Sequence, residues 1–297
     1  MICGPTAAGK SYAASWLARL TDVGVVSADS RQLYKGFDIG TAKPTAGDRL
    51  AAPHRGIDVL EPTERASAAW WAARADGWID ELCAAGHTPI VVGGTGLYLR
   101  ALFGALFEEP LMDVAARTEL QAALAGKTSD ELRRWVLALD PARAHLGRTQ
   151  QLRAIEIALL TGRRVSDLHR ETARPPRRRA RYLVVDPGPS LALHIETRTN
   201  TMFTNGWPEE VRQLMRDVPE DAPAWNASGY RTVRAMVRGE VTMREATGRV
   251  VIETRQYAKR QRTWFRHQLN GEDVTRLSVH EPDWAERATA WWREGNT

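Results

Sequence analysis

A chain of 297 residues can bury one large core, or a core with a smaller appended domain, because single cores stop growing at about 250 to 300 residues. Hydrophobic residues make up 43% and charged residues 26%, which excludes general disorder, and no apolar run is long enough to cross a bilayer. Lys plus Arg total 41 against 36 Asp plus Glu, a formal charge of +5 that suits a polyanionic partner without requiring one.

Two domains are expected. No charged segment followed by a long apolar stretch opens the chain, so the expected compartment is the cytoplasm. Cys3 and Cys83 are the two cysteines; so far apart, they form neither a disulfide framework nor a zinc set, and both are expected to be reduced core thiols.

The first element is a glycine loop. Gly4, Gly9, Lys10 and Ser11 in "GPTAAGKS" fit the phosphate-loop pattern G-x-x-x-x-G-K-[ST], with Pro5, Thr6, Ala7 and Ala8 between the glycines. Backbone N–H groups of such a loop point at phosphate oxygens, Lys10 adds a full charge, and the Ser11 hydroxyl is a ligand for Mg2+. Ala13, Trp16, Leu17 and Leu20 follow at helical spacing, as the motif requires. Only Met1, Ile2 and Cys3 precede Gly4, fewer than the strand that aims this loop needs, so the natural start is expected upstream of Met1.

"VGVVSADS" reads as a buried strand ending near Asp29, "SAAWWAARADGWIDELCAAG" as a helix stopped by Gly86, and "TPIVVGGTG" as another buried strand entering a glycine turn. This alternation is the βαβ rhythm of a parallel sheet. Beyond about residue 112 three helical patterns succeed one another without a strand, the second opened by a Thr128/Glu131 capping box. "RYLVVDPG" then returns to strand character, and a long helix is expected from about Met243 to Leu269. The expected architecture is an α/β, P-loop nucleoside-triphosphate-hydrolase-like parallel sheet core over 1–112 and 181–297, with a helical insertion domain over 113–180.

ATP hydrolysis normally needs an acid at a second strand end, yet "IVVGG" ends in glycines. The acid at a suitable strand end is Asp29, which could hold metal, accept a proton from an acceptor, or serve only as a turn residue. The basic segments Arg174–Tyr182 and Arg255–His267 are either solvated faces or polyanion contacts. In the second, Arg255, Lys259, Arg262 and Arg266 share one helix face, whereas Tyr257, Trp264 and Phe265 read as core. A transferase, a small-molecule kinase and a non-catalytic RNA-binding protein all remain open on these features.

"GPTAAGKS", "SADSRQLYKGFDIGTAKP", "APHRGID", "VVGGTGLYLRALFGAL", "RAIEIALLTG", "ASGYRTV" and "TRQYAKRQRTWFR" follow one another over residues 4–266, and in this order the chain resembles the tRNA dimethylallyltransferases, the tRNA isopentenyltransferases of bacterial type. The resemblance implies that the loop, Gly4 to Ser11, holds dimethylallyl diphosphate, and that the dimethylallyl group passes to N6 of the adenosine 3′ to the anticodon. It implies Asp29 as the proton acceptor, with Lys10 and Arg198 on the leaving pyrophosphate. One helical turn before Arg198 the family usually has another arginine, and this chain has His194, whose role is left open. For tRNA contacts the resemblance implies Asp29, Ser30, Arg31, Gln32, Thr95 and Arg117. It adds the stretches Thr149, Gln150, Gln151, Leu152 and Arg153, and Asn226, Gly229, Tyr230 and Arg231. Within these stretches Arg153 alone keeps the charge of a usual Gln-Arg-Ile-x-Arg segment, and Asn226 replaces a common arginine. The expected partners are the tRNA anticodon stem-loop and dimethylallyl diphosphate, with no membrane and a monomeric protein.

Overall fold

A computed structural model describes residues 1–104, 110–171 and 178–295. Six strands form one fully parallel sheet: β1 (Ile2–Cys3), β2 (Val23–Ser27), β3 (His54–Arg55), β4 (Thr88–Gly93), β5 (Tyr182–Val185) and β6 (Val274–Leu277), in spatial order β3-β2-β4-β1-β5-β6. The helices in chain order are α1 (Lys10–Ala18), α2 (Ala46–Ala51), α3 (Ala68–Ala84), α4 (Gly96–Phe103), α5 (Val114–Ala125), α6 (Ser129–Leu139) and α7 (Arg148–Thr161). They continue with α8 (Val165–Glu171), α9 (Leu191–Thr204), α10 (Trp207–Asp217), α11 (Tyr230–Val237), α12 (Met243–Gln268) and α13 (Trp284–Glu294).

The chain divides into two compact units, Met1–Leu102 with Arg178–Thr297, and Phe103–Arg177. The break at Phe103 precedes the expected boundary at 113 and falls inside α4, where the helical pattern carries no break to read. Residues 174–177 of the Arg/Pro-rich segment lie outside the described residues.

In the sheet unit, β1 is the short central strand, its Ile2 and Cys3 wholly buried between β4 and β5. Parallel strands covered on both faces read as continuous apolar runs, and all five residues of β2 are accordingly buried. Ala13, Ala14 and Leu17 of α1 pack with Ile2, Val25, Ile90, Leu183, Leu277 and Trp291 in one core. Ser67 caps α3 by accepting the Trp70 N–H. Cys3 is buried, and burial pushes its thiol up to about 12. Cys83 is exposed on α3, contrary to the expectation of a core thiol, because Leu82 turns inward in its stead.

The helical unit has its own core of Leu124, Leu132, Val136, Ile155, Ile157, Val165 and Leu168. The Thr128/Glu131 capping box is present at α6 in both directions. The short α8 adds a helix beyond the three expected.

One loop of the sheet unit is held by buried polar groups. Glu210 on α10 accepts the N–H groups of Asp38 (3.0 Å) and Ile39 (2.6 Å), and the Tyr230 hydroxyl donates to it at 2.6 Å while accepting the Gly40 N–H at 3.1 Å. Lys43, with its side chain only 2% exposed, donates to the Tyr34 carbonyl and pairs with Asp38 and Asp58. The "DIGTAKP" segment is therefore a structural clasp that fixes Thr41 and Lys43 at the cavity described below. Tyr230→Phe should destabilise the protein by about 1 to 3 kcal/mol, because it removes a buried hydroxyl serving two partners. Chemical denaturation should show a lowered midpoint with an unchanged slope.

Candidate active site

The phosphate loop leaves β1 at the carboxyl end of the parallel sheet, where ligands of such folds bind. Gly4 turns at φ 143°, and a Cβ there would lie 2.1 Å from the Val185 carbonyl oxygen of β5; only glycine allows this approach. The loop then passes through Ala7 at φ 61° and Gly9 at φ 93°, and α1 begins at Lys10. The first N–H groups of a helix have no intrahelical partner, so α1 presents them, with its positive dipole end, toward the loop.

Three recesses meet at this loop. A cavity of about 160 Å³ is lined by Lys10, Ser11, Asp29 and Arg198, and in its apolar part by Ala14, Val25, Ile57 and Val92. An open outer cleft of about 670 Å³ shares Lys10, Ser11, Lys43 and Arg198 with it and adds Ala7, Ala8, Gly9 and His194. A narrow recess of about 60 Å³ shares Thr6, Asp29 and Arg198 and adds Arg31, Ser228 and Tyr257. Arg198 lines all three, and Asp29 stands between the apolar cavity and the narrow recess.

Lys10 folds back on the loop, its Nζ donating to the Pro5 carbonyl at 2.7 Å. Burial holds its ammonium down to about 8, against the attraction of Asp29 and with the repulsion of Arg198. Arg198 donates to Thr6 Oγ1 at 3.3 Å, and burial lowers its pKa while Asp29 raises it. Asp29 uses one carboxylate oxygen in a turn, accepting the Arg31 N–H at 2.9 Å, so the turn role and the cavity position coexist. The loop carrying Asp29 is pinned by Thr95, whose hydroxyl accepts the Ser30 N–H at 3.1 Å and whose N–H donates to the Ala28 carbonyl.

His194 lies one turn before Arg198 on α9 and packs against His280, ring centroids 4.3 Å apart and the rings tilted by 40°. Burial, then the neighbouring imidazole, lowers its pKa. A neutral ring against the outer cleft is thus a weaker cation than an arginine.

Among the described residues no group of three His, Cys, Asp or Glu side chains is placed to hold a metal by itself. Ser11 and Asp29, facing one cavity, supply hard oxygen donors. That set fits Mg2+, which takes one or two protein ligands and completes its sphere with phosphate and water.

Several expected RNA contacts are spent internally. Gln32 donates to the Thr41 and Ala42 carbonyls and accepts from Ser27, so it supports the clasp. Gln151 is buried and donates to the Ala144 carbonyl. Gly229 and Tyr230 are buried, the latter within the clasp. These residues are buried or bonded within the protein, and sequence spacing does not separate a polar side chain that folds inward from one that faces out. Thr149 and Gln150 are exposed, and Leu152 is half-buried. Asn226 accepts from the exposed Arg231 at 2.6 Å.

In the helical unit, Arg117 and Arg153 both pair with the buried Glu156, at 3.2 and 2.8 Å, and Gln121 donates to its other oxygen. On α12, Arg255 pairs with Glu196, and Arg262 is tied to Asp186 and the Gly188 carbonyl. The expected four-residue basic face is therefore partly a set of internal braces. Phe265 is core, as expected, whereas Tyr257 lines the narrow recess beside Asp29. Burial, then the Asp29 charge, pushes the Tyr257 phenol up to about 12.

Fold and site together define a phosphate-loop α/β protein in which Lys10, Ser11, Asp29 and Arg198 line one cavity. A family model described as IPP transferase matches residues 32–268. The chain is 44% identical over 275 residues to a tRNA dimethylallyltransferase of Anaeromyxobacter sp. (strain K), covering 90% of this chain and 89% of that one. It is 40% identical over 272 residues to one of Myxococcus xanthus, covering 90% and 88%. The crystal structure of a tRNA isopentenylpyrophosphate transferase from Bacillus halodurans is similar at 30% identity and a TM-score of 0.70, over 99% of this chain and 94% of that chain. A eukaryotic dimethylallyltransferase acting on tRNA shares the fold, with a TM-score of 0.81 at 22% identity over 99% of this chain and 78% of that one. The chain belongs to the tRNA dimethylallyltransferase family, the IPP transferases.

A ligand diphosphate favours the charged form of Lys10, whose pKa in the free protein is about 8. Below that pH the ammonium is already present and binding takes up no proton there. Above it, Lys10 must be protonated on binding, so affinity for an alkyl diphosphate should fall as pH rises past about 8. Calorimetry in buffers of different ionisation enthalpy should show proton uptake at pH 8.5 that is absent at pH 7 and absent in Lys10→Met.

Proposed function

We propose that this protein transfers the dimethylallyl group of dimethylallyl diphosphate to N6 of the adenosine 3′ to the anticodon in tRNA, releasing pyrophosphate. The observation that carries this reading is the position of Asp29 and Arg198 on the wall shared by the apolar cavity and the narrow recess. The two reactants approach that wall from opposite sides.

On the diphosphate side, the loop N–H groups and Lys10 bind the phosphates, and the apolar part of the cavity, Ala14, Val25, Ile57 and Val92, takes the methyl groups. As the allylic C–O bond breaks, its electron pair leaves on pyrophosphate, and Lys10 and Arg198 stabilise the growing charge. Mg2+ held by Ser11 and phosphate oxygens would supply further charge neutralisation.

On the adenosine side, the target base has to leave the anticodon-loop stack before N6 can reach the carbon. The narrow recess, walled by Asp29, Arg31, Ser228 and Tyr257, is the receiving position. The N6 lone pair forms the new C–N bond, and Asp29 accepts the proton released. Ser30 and Thr95 hold the Asp29 loop against the flipped nucleotide. Arg117, Arg153 and Arg231, with Thr149 and Gln150, contact the stem-loop, largely through phosphates that fix position rather than sequence. The protein acts as a monomer.

Incubation with Mg2+, dimethylallyl diphosphate and an anticodon stem-loop bearing adenosine after the anticodon should add one prenyl mass to the RNA. Asp29→Ala should lower kcat by about a hundredfold or more while RNA affinity changes by less than about threefold. Equal losses in rate and affinity would remove Asp29 from the proton-accepting role.

A further inference from the structure

Gln261 belongs to no expected site, yet it touches both halves of this one. It sits on the inner stripe of α12 with Ala258 and Phe265 and is buried. Its Oε1 accepts the N–H of Thr6, inside the phosphate loop, at 2.8 Å. Its Nε2 donates to the Gly94 carbonyl at 2.8 Å, in a buried bond.

Each partner leads to reacting groups. Thr6 accepts from Arg198 through Oγ1, and Lys10 donates to Pro5, the residue before it. Gly94 precedes Thr95, which pins the loop of Asp29 by accepting the Ser30 N–H. A single amide therefore spans the leaving-group side and the proton-accepting side. The close fit is recorded at Gly94, where a Cβ would lie 2.4 Å from Gln261 Nε2 and 3.1 Å from the Gly4 carbonyl oxygen.

We infer that Gln261 is a positioning residue that sets the spacing between the phosphate loop and the Asp29 loop. It also holds the Thr6 N–H out of the set that meets phosphate. This rests on the prenyl-transfer reading above. Each substrate binds mainly to one side of the amide, so binding of either alone depends little on the spacing. The transition state engages both sides at once and depends on it fully.

The test compares wild type, Gln261→Met, Gln261→Ala, Gly94→Ala and the Gln261→Ala/Gly94→Ala double variant. Gln261→Met keeps the volume and loses both hydrogen bonds. It should lower kcat at least about tenfold, while the KM for the stem-loop and the calorimetric Kd for dimethylallyl diphosphate change by less than about threefold. Gly94→Ala should give the same pattern. The double variant should lose less than the product of the two single losses, because the closest contact a Cβ at Gly94 meets is Gln261 itself. Multiplicative losses in the double variant would overturn the inference, as would an unchanged kcat in Gln261→Met, whatever happens to its melting temperature. Wild type that binds dimethylallyl diphosphate but transfers nothing would defeat the functional reading, and the wild-type control separates that result from a failure of the inference.

Discussion

A phosphate loop must leave its N–H groups free to meet a ligand and still hold one shape without it. This loop spends its Thr6 N–H on Gln261 and is otherwise fixed from behind. Gly4 lies against the backbone of β5, Thr6 is tied to Gln261, and α1 anchors the far end in the core through Ala13 and Leu17. Everything chemical in the molecule is arranged around a loop that is rigid because its neighbours are.

The same constraint explains the buried polar groups. A polar group withdrawn from water is costly unless bonded, and the buried Gln261, the half-buried Glu210 and Lys43 each have two or three partners. Gln261 and Glu210 also join segments distant in sequence, as Glu210 joins α10 to residues 38–39. These groups fix loops relative to one another where apolar contacts, which are non-directional, would leave the register loose. The two recesses meeting at Asp29 and Arg198 depend on that register, because both reactants must come within bonding distance of one wall.

Much of the core was legible in the sequence because the signals were local. The β-branched run before Asp29, the Gly86 stop, the Thr128/Glu131 box and the length of α12 all depend on residues within one or two turns. Lys10 was legible through its motif, Asp29 through its place at a strand end and Arg198 only through the family resemblance, and they share a cavity. Gln261 and Glu210 were not singled out, and Tyr257 was read as core. Their one local signal is a polar residue on an otherwise apolar stripe, such as Ala258, Gln261 and Phe265 on α12, which a basic helix makes easy to pass over. Cys83 was misread for the opposite reason, since a cysteine one residue from a core leucine gives no sign of which face it takes.

By itself the sequence determined the loop chemistry, the alternation of strands and helices and the family, because each is written in residue type and short spacing. Only the tertiary structure decided which polar side chains face a reactant and which brace the loops. That choice turns on contacts between residues up to 255 positions apart, such as Thr6 with Gln261. At such separations sequence spacing carries no information about direction. Folding alone determines whether an amide or a guanidinium ends against a substrate or against the protein's own carbonyls.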